Sequence, residues 1–274
     1  MTELFSAEKP SLKTVTPGHL SLLNSTKVEV NKPFSEKLDR ARQLIRLYVH
    51  QPNVCVSCSF GKDSMVVTSL AFEENPKIPV VFENTGIEFP ETLRLRDKVV
   101  SSWGLNYVEL KPKTTFFKIN DMIMKRKLRL DDGRKHSNTC CYHLKEKPFD
   151  LWRKTTACSR SFTGITALES RHRMFVACKK GMDYYSVRSG FAKVHPIMFW
   201  TEGEVWQFTK DNNLPINEAY SKYGIDRIGC MWCMSHKGWR EQIFRINPKV
   251  YAFLMSRYRK SPILDSYSSE VFST

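Results

Sequence analysis

No stretch of this chain approaches the roughly 20 consecutive apolar residues that a helix needs to cross a bilayer, so a helical membrane protein is excluded. The opening MTELFSAEKPSLKTV lacks the basic flank and apolar centre of a secretory signal, and a cytoplasmic location is expected. No repeat and no low-complexity tract occurs, which removes solenoids and disordered linkers from consideration. Acidic residues are scarce: 28 Asp and Glu face 43 Lys and Arg, a net charge of +15. Such an excess suits a polyanionic partner: nucleic acid, nucleotide or an acidic protein.

The basic residues are unevenly spread. Between Lys111 and Lys147 lie Lys118, Lys125, Arg126, Lys127, Arg129, Arg134, Lys135 and Lys145, opposed by Asp121, Asp131, Asp132 and Glu146. A second basic stretch runs from Lys237 to Lys260.

A chain of 274 residues accommodates one large α/β domain with extensions. Residues 1–34, with Pro10, Pro17 and Pro33, read as an irregular arm. Leu38, Ala41, Leu44, Ile45 and Tyr48 then recur at helical spacing until Pro52. Short β-prone runs, Val54–Cys58, Ile78–Phe82 and Tyr107–Leu110, alternate with helical patterns at Met65–Phe72 and Glu91–Trp103. This alternation predicts a parallel sheet with helices on both faces. Ser161–Ile165 reads as a further strand, and Tyr184–Val187 with Lys193–Ile197 as a hairpin. Thr201 and Glu204 have capping-box spacing ahead of a helix through Phe208. The expected organisation is an arm (1–34), a nucleotide-binding domain (35–235) and a basic helical extension with a tail (236–274).

A strand that turns through small residues into a helix forms an anion site, because the free amides of the first helical turn and the helix dipole face the ligand. Ser59-Phe60-Gly61-Lys62-Asp63-Ser64 is such a turn. Gly61 permits close approach to phosphate oxygens, Ser59 and Ser64 offer hydroxyls, and Lys62 offers charge. Asp63 can reach magnesium or cap the helix. The G-x-x-x-x-G-K-[ST] spacing of a Walker loop is absent.

Eight cysteines in a reducing compartment point to metal or redox chemistry before disulfides. Cys140 and Cys141 are adjacent, while Cys230 and Cys233 form C-x-x-C. Four thiolates serve zinc or an iron–sulfur cluster. A vicinal pair strains to ligate one zinc ion but reaches two irons of a cubane, so a [4Fe–4S] cluster is favoured. Cys55 and Cys58 share the spacing but lie on a strand, where their side chains point to opposite faces. They read as packing residues, as do Cys158 and Cys178.

The hexapeptide resembles the S-G-G-x-D-S signature of the PP-loop ATP pyrophosphatases, with Phe60 in place of the first glycine. The likeness continues through Asn84-Thr85-Gly86-Ile87-Glu88-Phe89-Pro90-Glu91-Thr92 and Thr163-Gly164-Ile165-Thr166-Ala167-Leu168-Glu169-Ser170-Arg171. It extends to Trp200–Trp206 and Leu214–Asn217. These blocks resemble, in order, those of the phosphoadenosine-phosphosulfate (PAPS) reductase family, with Thr166 where that family often has Arg. The resemblance implies an adenine nucleotide across the carboxyl ends of parallel strands. Its phosphates would meet Ser59 to Ser64, its adenine Phe82 and Thr85, and its remaining contacts Gly164 and Arg171.

The C-C…C-x-x-C pattern is shared by assimilatory adenylylsulfate reductases and the ATP pyrophosphatases of the Dnd and Ssp DNA-phosphorothioation systems. The reductases carry their nucleophile in a C-terminal E-C-G-x-H motif, and this chain has no cysteine after Cys233. Retention of Lys62 and Asp63, which suit ATP with Mg2+, together with the basic surface favours the ATP pyrophosphatases. The expectation is therefore activation of a nucleic acid for sulfur incorporation, DNA ahead of tRNA, with a cysteine desulfurase as partner. The alternatives are a PAPS or adenylylsulfate reductase of sulfate assimilation, and a non-enzymatic nucleotide-binding subunit. Assembly into a homo-oligomer stays open.

Overall fold

The computed structural model describes residues 17–124, 136–187, 189–233 and 238–258. Residues 125–135, which hold part of the first basic run, and the tail after Tyr258 lie outside the described residues. Among the described residues no helix is long and apolar enough to cross a membrane.

The alternating pattern folds into one six-stranded sheet. Helix α1 (Pro17–Val30) and α2 (Phe34–Tyr48) precede β1 (Val54–Ser57), α3 (Lys62–Glu74), β2 (Val80–Glu83), α4 (Pro90–Trp103) and β3 (Tyr107–Leu110). Helices α5 (Phe116–Met124), α6 (His136–Cys141) and α7 (Lys147–Thr155) follow, with a π-helical turn at Tyr142–Glu146 between α6 and α7. Then come β4 (Arg160–Thr163), a 3-10 turn (Ala167–Glu169), α8 (Arg171–Lys180), β5 (Asp183–Ser186) and β6 (Phe191–Val194). The chain continues through α9 (Glu202–Asp211), α10 (Ala219–Tyr223), α11 (Trp239–Ile246) and α12 (Pro248–Tyr258).

The strand order is β3-β2-β1-β4-β6-β5. All neighbours are parallel except β5 and β6, the expected hairpin. The order reverses between β1 and β4, where an open α/β sheet leaves a crevice at its carboxyl edge. Val54, Cys55 and Val56 of β1 are all buried, as a strand covered on both faces requires. The main core joins Ala41 and Ile45 of α2, Val66 and Leu70 of α3, Val99 of α4 and Val205 of α9 to strand residues Val56, Phe82, Phe162 and Val194. Each such Val, Leu, Ile or Phe side chain contributes about 1.5–3 kcal/mol.

The end of the expected arm is helical. Thr26 donates from Oγ1 to Cys178 Sγ at 3.1 Å, and Lys37 Nζ donates to the carbonyl of Val30 at 2.8 Å. Tertiary docking of this kind stabilises a helix whose sequence has little amphipathic periodicity. Among the supposed packing cysteines, Cys55, Cys58 and Cys158 are buried, with Cys158 Sγ 3.5 Å from Cys55 Sγ.

The capping box at α9 is complete. Glu204 N donates to Thr201 Oγ1 at 3.2 Å and Thr201 N donates to Glu204 Oε2 at 2.7 Å. Glu204 also accepts from the buried Lys37 Nζ at 2.6 Å, tying α9 to α2. Thr201→Ala removes one cap acceptor and is expected to cost about 1 kcal/mol. Urea unfolding of the two proteins checks this, with unchanged stability arguing against the cap.

Candidate functional site

A cleft of about 180 Å3 opens at the carboxyl ends of β1, β2 and β4. Ser59, Gly61, Asp63 and Ser64 form one wall, Thr163, Gly164 and Ile165 a second, and Glu83 closes the β2 side. Glu169, Arg173, Tyr220 and Arg227 complete the rim.

The phosphate-type turn is internally braced. Ser64 Oγ donates to the Gly61 carbonyl at 2.9 Å, accepts from Ser59 N at 3.2 Å and lies 3.2 Å from Ser59 Oγ. Helix α3 starts from an extended Gly61. Gly164 lies so close to the first turn of α3 that a Cβ there would stand 2.5 Å from Asp63 C, Asp63 O and Ser64 N. Glycine is required at this position because the neighbours are backbone.

Several expected contacts sit elsewhere. Phe60 has φ +56°, a left-handed conformation that favours glycine. Its side chain is fully buried, edge-on to Phe82 at 5.3 Å, so Phe60 shapes the turn from below and does not line the cleft. Phe82 is likewise a core residue, and its ring is unavailable to adenine. Thr85 is buried, donating to Glu88 Oε1 at 2.7 Å and lying 3.4 Å from Cys230 Sγ, so it serves the cysteine region. Lys62 is not among the residues that line the cleft. Its Nζ lies 3.1 Å from Asp63 Oδ2 and 3.5 Å from Glu202 Oε1. The helix mouth is not bare, because the Lys62 amide donates to Tyr220 Oη at 2.9 Å.

Arg171 is exposed at the start of α8 and does not line the cleft. Arg173, one step round the helix, takes its place and pairs with Glu169. Burial, then the charge of Arg227, lowers the pKa of Arg173 to about 10, and it remains a cation at neutral pH. Thr166, which stands where an arginine is common, caps the 3-10 turn through Glu169. The spacing of Glu169 and Arg173, four apart, was a visible helical ion-pair signal. Nothing local in sequence marked Tyr220 or Glu83. Burial raises the Glu83 carboxyl to about 7, against the pull of Lys145.

The four expected cysteine ligands converge beside this cleft. Cys140 and Cys141 end α6, immediately before the π-helical turn. Cys230 bridges to Glu88, Met231 N donates to the Ile87 carbonyl at 2.8 Å, and Cys233 N closes a turn on the Cys230 carbonyl at 3.1 Å. Cys140 and Cys230 pack against one apolar cluster containing Ile87, Phe116 and Trp239. Burial, then Cys230, Cys141 and Cys233, push the Cys140 thiol up. Burial raises Cys230 to about 12, opposed by Lys145. Arg227 acts electrostatically on both Cys141 and Arg173, which places it between thiols and cleft. Among the described residues, no three His, Cys, Asp or Glu side chains stand close enough to hold a single metal ion.

Fold and cleft define a PP-loop α/β nucleotide-binding protein. The model of the phosphoadenosine phosphosulfate reductase domain matches residues 53–236, and the chain belongs to that family, a family of enzymes. The adenosine 5'-phosphosulfate reductase of Staphylococcus epidermidis is 28% identical over 215 residues, 75% of this chain and 83% of that one. The enzyme of the same name from Bacillus anthracis is 30% identical over 189 residues, 67% and 76% of the two chains. Phosphoadenylyl-sulfate reductase from Candida auris superposes with TM-score 0.54 at 20% identity, covering 78% of this chain and 95% of that one. FMN adenylyltransferase from Candida glabrata with ATP gives 0.51 at 14% identity, covering 78% and 70%. These two likenesses show the fold.

The relatives correct the main functional expectation. Named adenosine 5'-phosphosulfate reductases align over 66% to 75% of the chain, which overturns DNA phosphorothioation in favour of the sulfonucleotide alternative. The nucleic-acid and desulfurase partners had rested on the overturned reading.

Two outcomes test the site. Gly164→Ala forces α3 and β4 apart and is expected to weaken binding of adenosine 5'-monophosphate at least about tenfold, with overpacking costing about 1–3 kcal/mol. Unchanged affinity by calorimetry rejects the need for this close approach. His195 is buried, with Nδ1 2.6 Å from Thr163 Oγ1, and burial, then Lys193 and Arg173, lowers its pKa from 6.5 to about 3. The folded chain refuses a proton that the unfolded chain accepts below pH 6.5. Stability is therefore full above that pH and falls towards pH 3, by about 1.4 kcal/mol per unit. Urea unfolding at pH 7.5 and 5.5 should show a drop about 1.4 kcal/mol larger in the native chain than in His195→Asn.

Proposed function

We propose that this protein is a sulfonucleotide reductase that binds an adenosine phosphosulfate in the cleft and carries a [4Fe–4S] cluster on Cys140, Cys141, Cys230 and Cys233. The observation that carries this reading is the adjacency of the two sites: Arg227 and Ile228, which lead into Cys230, line the cleft, and Cys230 Sγ lies 3.4 Å from Thr85 Oγ1 on the loop after β2. The named relatives support it.

The cysteine set fits a cluster. A cubane takes each thiolate on a different iron, so its ligands stand wider than those of a single ion. The spacing here is too wide for single-ion chelation, yet close enough for the thiols to oppose one another's ionisation. Iron replaces the protons and removes that opposition. Two buried donors next to these cysteines, Thr139 Oγ1 and Trp232 Nε1, lack a partner among the described residues. Cluster sulfides are acceptors of the kind they lack. Once bound, the cluster supplies a polarisable charged centre beside the anionic end of the nucleotide.

The chain's own residues bind and orient. The first turn of α3 and the Ser59 and Ser64 hydroxyls meet the phosphosulfate, and Arg173 and Arg227 offset its charge. Reduction takes two electrons from an external dithiol. One thiolate attacks the sulfate sulfur and adenosine 5'-monophosphate leaves as the S–O bond breaks. The second thiolate attacks the first thiol's sulfur, so a disulfide forms and sulfite departs. Lys62, the cation best suited to a triphosphate, is engaged with Asp63 and Glu202, which weighs against ATP with Mg2+ as the working substrate.

With dithiothreitol as reductant, the anaerobically purified protein should release sulfite from adenosine 5'-phosphosulfate or its 3'-phosphate, and Arg173→Ala should reduce this at least about tenfold. Pyrophosphate released from ATP, with no sulfite, would reject the reading. Iron and labile sulfide should each approach about four per chain. Stoichiometric zinc without iron would reject the cluster.

A further inference from the structure

Glu83 is the last residue of β2, the strand beside β1, and its side chain reaches the nucleotide cleft. Among the described residues it makes no ion pair and no side-chain hydrogen bond to another residue, unlike Asp63 and Glu169, which are held by Lys62 and Arg173. Among the described residues its carboxylate is held only by its own backbone amide. Lys145 and Glu88 act on it with opposite sign, and with its carboxyl raised to about 7 the β2 end of the cleft gains negative charge as the pH rises through that value. The cleft's two arginines belong to other elements, Arg173 to α8 and Arg227 to the segment before Cys230.

This asymmetry orients a nucleotide. The phosphosulfate is drawn to the mouth of α3, Arg173 and Arg227, and the sugar falls towards β2. In dinucleotide-binding Rossmann folds an acidic side chain after the second strand accepts from the ribose 2'-hydroxyl, and a 2'-phosphate is met by an arginine instead; Glu83 stands at the comparable strand end here. Resting on the sulfonucleotide reading, we propose that Glu83 determines specificity by accepting a ribose hydroxyl and repelling a 3'-phosphate. The preferred substrate is then the nucleotide with an unphosphorylated ribose, adenosine 5'-phosphosulfate.

Titration calorimetry on the full chain tests this without turnover or cluster chemistry, using adenosine 5'-monophosphate and adenosine 3',5'-bisphosphate as probes. The native protein should bind the monophosphate about tenfold or more tightly than the bisphosphate, since a like charge facing the ligand is costly. Glu83→Gln keeps the shape and an acceptor but removes the charge, and should narrow that ratio several-fold mainly by improving bisphosphate binding. Glu83→Asp, with the charge kept, should preserve the preference. An equal or reversed preference in the native protein overturns the proposal without any variant, as does an identical ratio in Glu83→Gln. Binding of both probes with no discrimination leaves the sulfonucleotide reading standing. Binding of neither removes that reading and this inference together.

Discussion

The packing of Gly164 onto the first turn of α3 is the constraint on which the site depends. It brings the end of β4 against Asp63 and Ser64 with no side chain between them. The switch point between β1 and β4 thereby becomes a narrow cleft with peptide groups on two sides. Backbone amides cannot be re-aimed without moving a helix, so their dipoles are organised before any ligand arrives. The core formed by α2, α3, α9 and the sheet holds the helix in place. The sheet interior thus pre-forms the geometry that a flexible loop would have to find on binding.

Phe60 shows how the turn departs from local preference. A phenylalanine in a left-handed conformation costs on the order of 1 kcal/mol or more, and full burial against Phe82 returns more than that. The turn therefore keeps the backbone path that glycine would give while being fastened from below.

Periodicity and turn chemistry made the sheet, the α3 turn, the hairpin and the capping box legible, because each is set by residues close in sequence. The cysteine pairs were legible as chemistry, but their convergence depends on the Glu88–Cys230 bridge, which no local pattern encodes. Assigning Phe82 to adenine failed for a plain reason. Position along a strand does not reveal which face is covered when both are buried. Arg171 was preferred to Arg173 because a motif match fixes a neighbourhood, whereas helix rotation decides which side chain turns inward. Glu83 and Tyr220 were illegible, since an ordinary glutamate and an ordinary tyrosine acquire meaning only from what stands opposite. DNA modification was inferred from the lack of a cysteine after Cys233, the cysteine pattern, the net charge and the loop's Lys62 and Asp63. That lysine proved to be committed to its own neighbours.

The pairing of Met231 with Ile87 joins the C-x-x-C turn to the loop that leaves β2. Both segments are irregular, and each borrows rigidity from the other. Occupancy at the thiols and occupancy at the cleft are therefore thermodynamically linked, and linkage runs equally in both directions. Under the proposed function, a nucleotide seated in the cleft would strengthen the equilibrium hold on metal by the same free energy with which metal tightens the nucleotide. On that reading the thiols would be best guarded when substrate is abundant.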